Sequence, residues 1–353
     1  MPALDLTTDV VSLTAALVDL PSESLSEQLI ADAVEAALRA VPHLDVVRDG
    51  HTIVARTSLA RAERVVIAGH LDTVPANQNL PSRLEDGILH GLGSCDMKGG
   101  VAVALLLAAH VTAPTRDVTY VFYEAEEIAA EFNGLGRLAG TRPELLAGDF
   151  AILMEPTDAG IEAGCQGTMR VEIRTAGERA HSARSWMGSN AIHALSPVLD
   201  VLNTYAPREV DIDGLVYREG LNAIGISGGV AGNVVPDEAT VSVNFRFAPD
   251  RSEEDAFQHL QEVFEGFGLT VTDSAPGALP GLAAPAVAAF AAAVGGEVKP
   301  KFGWTDVAQF TQLGIPAINY GPGDPMYAHK ADEHVPTEQL VRVHERLVDW
   351  LGS

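Results

Sequence analysis

The sequence predicts an α/β protein, a mostly parallel sheet sandwiched by helices, with a ferredoxin-like α+β domain inserted into it. Three observations carry this. The runs VTYVFYEA (118–125) and DFAILMEP (149–156) are apolar without alternation, as in strands buried on both faces. Strands of this kind alternate with helical spacing, which suits a sheet covered on both sides. After Gly167 the pattern changes to β-α-β-β-α-β, the order of a split ferredoxin-like unit, and then reverts. The expected boundaries are 1–167 and 277–353 for the main domain and 168–276 for the insertion.

Taken in order, residues 8–19 and 24–40 have helical apolar spacing, separated by Pro21 and Ser22. Runs of β type follow at 52–56 and 64–69, then a hairpin around Asp86-Gly87. Gly99-Gly100 opens an apolar helix at 101–111. In the insertion, TMRVEIRTAG is a strand, 189–204 a helix, and LNAIGISGGV and VVPDEATVSVNFRFAP two strands. EEDAFQHLQEVFEGF is a helix and LTVTDS the last strand. A helix at 284–294, a strand at 316–321 and a helix at 337–351 complete the main domain. The Ala/Gly/Pro-rich stretch 275–286 suits a hinge.

The net charge of −25 argues against nucleic-acid binding, which needs clustered Lys and Arg. Two cysteines, Cys95 and Cys165, make no disulfide framework and read as thiols of a reducing cytosol. The first residues lack the basic-then-apolar pattern of a signal peptide, and 101–111 is too short to span a bilayer. The expectation is a cytoplasmic protein with no membrane role.

Several strand ends carry metal-binding side chains. His70 and Asp72, two apart, point the same way, so the imidazole can bind metal while the carboxylate holds its other N–H. Asp96 lies among Gly91, Gly93, Gly99 and Gly100, and a carboxylate can bridge two cations. Glu126 and Glu127 end an apolar strand, where charge is expensive unless compensated; one can bind metal while the other faces substrate. Glu155 ends AILM, and His329 sits in a Gly/Pro-rich loop. Each alone could equally be a solvated strand end, a turn acid or a surface histidine. Together they gather where open α/β sheets bind ligands. An N/O donor set without thiolate suits two divalent ions, Zn(II) first, with Co(II) or Mn(II) as relatives.

In sequence order, GHLDTVP, DGILHGLGSCDMKGG, EAEE and MEPT resemble the M20 family of dinuclear metallo-aminoacylases and peptidases over nearly the whole chain. AEFNGLG (130–136), RAHSARSW (179–186), GWTD (303–306) and HKADEHVP (329–336) are most similar to the actinobacterial branch of the succinyl-diaminopimelate desuccinylases. The resemblance implies that Asp96 bridges two metals, with His70 and Glu155 on one and Glu127 and His329 on the other. It implies Glu126 as general base, Asp72 behind His70, and His181 as an oxyanion donor reaching a partner subunit. The insertion is then a dimerisation and lid domain of a homodimer, and the substrate a small molecule. Arg184, Asn233, Arg246 and Thr305 are the expected substrate contacts, since carboxylates at both substrate ends need guanidinium or amide donors. Arg246 could equally be a salt-bridged strand residue. The chain departs from the better-known pattern TSDGRF at TDVAQF (305–310), where Gln309 stands near an arginine's place. The expected activity is removal of succinate from N-succinyl-LL-2,6-diaminopimelate. The alternatives are N-acetylornithine deacetylation or another N-acyl-amino-acid or dipeptide hydrolysis and, from a different class, a non-catalytic binding protein.

Overall fold

The computed structural model describes residues 3–353. The chain divides into two compact units, one of residues 1–164, 280–301 and 305–353, the other of 165–279 with 302–304.

The first unit is built on an eight-stranded sheet. Its four middle strands, Asp117–Tyr123, Arg64–His70, Phe150–Leu153 and Ala317–Asn319, lie side by side in that order and run parallel. Outside them, Thr52–Arg56 and Asp45–Asp49 add antiparallel strands on one edge; Ile161–Ala163 and Val298–Pro300 extend the other. The sheet is therefore mixed, parallel at its centre. The strand Asp117–Tyr123 is buried at every residue, as a both-face-covered strand requires.

The helix Lys98–His110 is buried from Lys98 to Ala108. Two glycines let it start against the sheet: a Cβ on Gly99 would lie 2.7 Å from the Ser94 carbonyl, and one on Gly100 would collide with that of Met154. Val10–Val18, Gln28–Arg39, Pro285–Val294 and Thr337–Gly352 supply the other main helices. Truncating a fully buried side chain such as Leu105 to alanine would cost about 2–5 kcal/mol.

The second unit holds a four-stranded antiparallel sheet in the order Gly220–Gly228, Glu238–Phe247, Gly167–Ala176, Leu269–Ala275. Numbered along the chain this is 2-3-1-4. Alternate residues Met169, Val171 and Ile173 join Val241, Val243 and Phe245 on one face, packed with Val198 and Leu260 of the helices Ser196–Thr204 and Glu253–Val263. Arg170, Glu172 and Arg174 take the other face.

Local departures have local causes. The helix expected over 189–204 begins only at Ser196, because Ser189 pairs with Glu178 and Asn190 caps a turn through Ile192 N and His193 N. The strand expected to 125 stops at Tyr123, with Ala125 in the left-handed region at φ 59°. The hairpin Glu209–Ile212/Leu215–Arg218 was not expected, although Asp213-Gly214, both with positive φ, is its sequence signal.

Candidate metal centre

His70 closes the strand Arg64–His70 in register with Tyr123 on the parallel neighbour, and Ala68 is in register with Leu153. The chain segments leaving this carboxyl edge carry Asp72, Glu126, Glu127 and Glu155. His70 is buried, with Nδ1 3.0 Å from the Asp72 carbonyl oxygen and 3.5 Å from Asp72 Oδ1. These acceptors hold the proton on Nδ1 and turn Nε2 toward Asp96 Oδ1, 3.2 Å away. The Tyr123 ring meets the imidazole edge-on.

Asp72 does more than orient His70. Its Oδ1 accepts from Glu126 N at 3.0 Å and its Oδ2 from Glu127 N at 3.1 Å, while the Ser24 hydroxyl donates to Oδ2 at 2.7 Å. One buried carboxylate thus fixes the main chain of both acids as well as the imidazole. Burial works against its charge, yet His70 beside it, then the Ser24 hydroxyl and Glu126 N–H, hold its pKa below the usual range.

Asp96 faces two histidines. Its Oδ2 lies 3.4 Å from His329 Nε2, which is also 3.0 Å from Glu127 Oε1. Ligand atoms of His70, Asp96 and Glu127 all fall within 4.8 Å of one another. Hydrogen bonds to Asp96 and Glu127 raise His329 to about 10, whereas Asp96, despite burial, is held low by His329 and His70. Burial, then Asp96, push Glu155 up to about 8 against the pull of His70 and Lys301. Glu126 is raised well above the carboxylate range by burial, with Glu155 and Glu127 adding to it and His70 opposing.

The donor set fits divalent cations. Carboxylates outnumber cations among these mutually interacting groups, an arrangement that needs positive charge. Glu155 Oε1 is buried and accepts no hydrogen bond from any described residue. All donors are oxygen or imidazole nitrogen, which suits Zn(II) and its neighbours.

Thr305, expected at the substrate, is buried, and its hydroxyl donates to Asn319 Oδ1 at 2.8 Å. Gln309 packs on the helix Gly134–Thr141, its Nε2 3.1 Å from where a Cβ on Gly136 would stand. In the second unit, His181 is exposed on a two-residue strand paired with Val234–Val235. Its Nδ1 accepts from Ala183 N at 3.0 Å, so the proton sits on Nε2. Asn233 is adjacent, its carbonyl accepting from Ser182 N, and Arg184 is exposed on the following turn. Arg246 lies apart from them, on the strand Glu238–Phe247 opposite Gly220 and Thr168.

The model of the peptidase family M20/M25/M40 matches residues 66–352. The chain belongs to this family. Over 99% of its length this M20 chain is 56% identical to a putative succinyl-diaminopimelate desuccinylase DapE of Mycobacterium tuberculosis, covering all of that protein. It is 49% identical to the succinyl-diaminopimelate desuccinylase of Corynebacterium glutamicum, across 100% of this chain and 98% of that one. Among solved structures it resembles a tripeptidase from Staphylococcus aureus, with a TM-score of 0.80 at 21% identity over 99% and 98% of the two chains. An M20 metallo-carboxypeptidase from Sulfolobus solfataricus gives 0.80 at 16% over 98% and 99%. At these identities the structural likeness speaks for the fold.

Four supporting side chains were not assigned from sequence. Glu124 is buried against Thr52 and Arg137, the latter at 2.7 Å. Asp306, raised to about 6 by burial, accepts from Asn133 Nδ2 on its two oxygens at 3.2 and 2.9 Å. Lys301 pairs with Glu162 at 2.8 Å and donates to the Pro156 carbonyl just past Glu155. Glu333 accepts from the main chain beside Asp96. Glu124, Asp306 and Glu333 lie inside quoted motifs, but only long-range pairing reveals what they hold.

Proposed function

We propose that the protein is a succinyl-diaminopimelate desuccinylase, hydrolysing the amide of N-succinyl-LL-2,6-diaminopimelate to succinate and LL-diaminopimelate for lysine and cell-wall synthesis. The observation that carries the substrate reading is whole-length similarity to two desuccinylases at 56% and 49% identity. The ligand set His70, Asp96, Glu127, Glu155 and His329, with Glu126 beside it, supports the hydrolytic chemistry.

In this reading His70, Asp96, Glu127, Glu155 and His329 would hold two divalent cations, Zn(II) first. Bound there, the cations supply Lewis acidity, making water more acidic and withdrawing electrons from the scissile carbonyl. Glu126, whose main chain is tied to Asp72, takes the proton of the attacking water on a carboxylate oxygen. It then delivers that proton to the departing amine nitrogen as the C–N bond breaks. His181 presents Nε2–H to the oxyanion of the tetrahedral intermediate. Arg184, Asn233 and Arg246 are the proposed contacts for substrate carboxylates; Thr305, the other expected contact, has its hydroxyl on Asn319.

His181 acts on the partner's site in a homodimer formed through the inserted domain. What supports self-association is the edge strand Gly220–Gly228, which carries no charged residue and leaves Ile224 and Ile226 more than half exposed. Unguarded edges of this kind pair readily with another strand. No helix among the described residues is long and apolar enough to cross a membrane; the proposed biosynthetic role supports the reading of a cytoplasmic enzyme. The test is turnover on zinc-loaded protein, comparing N-succinyl-LL-diaminopimelate with N-acetylornithine and a dipeptide. The succinyl substrate is expected to give the highest kcat/KM; a faster alternative substrate overturns the assignment.

A further inference from the structure

We propose that Glu333 is a positioning residue that clips the loop bearing Asp96 to the loop bearing His329, and so sets the spacing of ligands from distant parts of the chain. The proposal rests on the metal-centre reading above.

Glu333 is buried, 1% exposed. Its Oε1 accepts from Cys95 N at 3.2 Å and from Asp96 N at 3.1 Å. Its own carbonyl accepts from Gly91 N at 3.0 Å, and its N–H donates to the Lys330 carbonyl at 3.1 Å. One residue therefore fastens both ends of the 91–96 turn and closes the short segment that begins at His329.

Within the turn itself only Ser94 N donates, to the Gly91 carbonyl at 3.1 Å, while Leu92 N reaches the Asn79 carbonyl and Lys98 N the Gly93 carbonyl. Gly91 and Gly93 have φ of 152° and 77°, and glycine leaves the backbone free to adopt many other conformations. The outside template is one carboxyl oxygen that accepts two adjacent main-chain N–H groups at once. Asp96 must face His70 at 3.2 Å and His329 at 3.4 Å at once. His329 is only four residues from Glu333 and holds a left-handed φ of 64°. A shift of Glu333 therefore displaces Asp96 and His329 relative to each other. A merely structural acid would stabilise the fold without altering how ions bind.

Full-length Glu333→Ala and Glu333→Gln proteins separate these cases through two readouts. In metal-free protein, Glu333→Ala is expected to speed amide hydrogen exchange in 91–97 selectively. In a Co(II) titration followed by visible absorption, it should weaken binding about 10–100-fold. Glu333→Gln keeps a carbonyl acceptor and should restore both toward wild type. If the alanine protein does not fold, Glu333→Asp, one methylene shorter, should weaken Co(II) binding more than Glu333→Gln. Unchanged exchange or wild-type Co(II) affinity in a folded alanine variant overturns the proposal, as does a glutamine variant no better than alanine. Failure of wild type to bind Co(II) would overturn the metal-centre reading, while exchange in metal-free protein still tests the clip.

Discussion

The two units prepare their functional side chains in opposite ways. In the first, His70, Asp72, Asp96 and Glu127 are buried or nearly so and tied to one another within 3.0–3.5 Å. In the second, His181 and Arg184 are exposed, and His181 is fixed by one main-chain donor. The buried network arranges its donors in advance and needs only cations to complete it. The exposed set is organised locally, by hydrogen bonds within the second unit. The proposed function divides chemistry and assembly between them, and on that reading mutations should separate accordingly.

The largest expected effect belongs to Glu126. Glu126→Gln should cut kcat by about 10²–10⁴-fold while metal content, measured by mass spectrometry of the loaded protein, stays at wild type. Loss of metal would move Glu126 into the ligand set. His181→Ala should lower kcat by about 10²–10³-fold with Co(II) affinity unchanged, since its proposed role is toward the oxyanion alone. An equal loss of ion binding would erase the division between the units.

Charge on the bare edge strand sharpens the comparison further. Ile226→Lys should shift sedimentation from dimer to monomer, with activity falling in step because His181 then lacks a partner site. A fully active monomer would remove His181 from catalysis.

The smallest effect concerns the fold alone. Asp117 is buried, and despite that burial its pKa is lowered by hydrogen bonds from Leu59 N, the Thr57 hydroxyl and Arg61 N. A carboxylate with a depressed folded pKa stabilises above its unfolded value and loses that contribution as pH falls through the folded one. Asp117→Asn should therefore cost about 1–3 kcal/mol in denaturant unfolding at pH 7, and the difference should shrink under acid. Metal binding should not change.

Much of this was legible in the chain because it depends on local pattern. Uninterrupted apolar runs marked the central strands, and strand-end histidines and acids marked the candidate ligands, of which His70, Asp96 and Glu127 come together. The β-α-β-β-α-β order marked the insertion. The outer strands Ile161–Ala163 and Val298–Pro300, the latter at the edge, have only three residues each, too short for periodicity to register. The supports of the site were hidden for another reason: Asp306 with Asn133, and Glu333 with Cys95 and Asp96, pair across more than 170 residues. A buried acid's partner at that separation leaves no trace in local spacing. His181 and Arg184 carried no burial signal, so only the resemblance singled them out.

Anomalous diffraction from zinc-loaded crystals tests the central claim most directly. The account predicts two peaks about 3.5–4 Å apart, one against His70 and Glu155, the other against Glu127 and His329, with Asp96 touching both and Glu126 touching neither. A single peak, or Glu126 as a ligand, would contradict it.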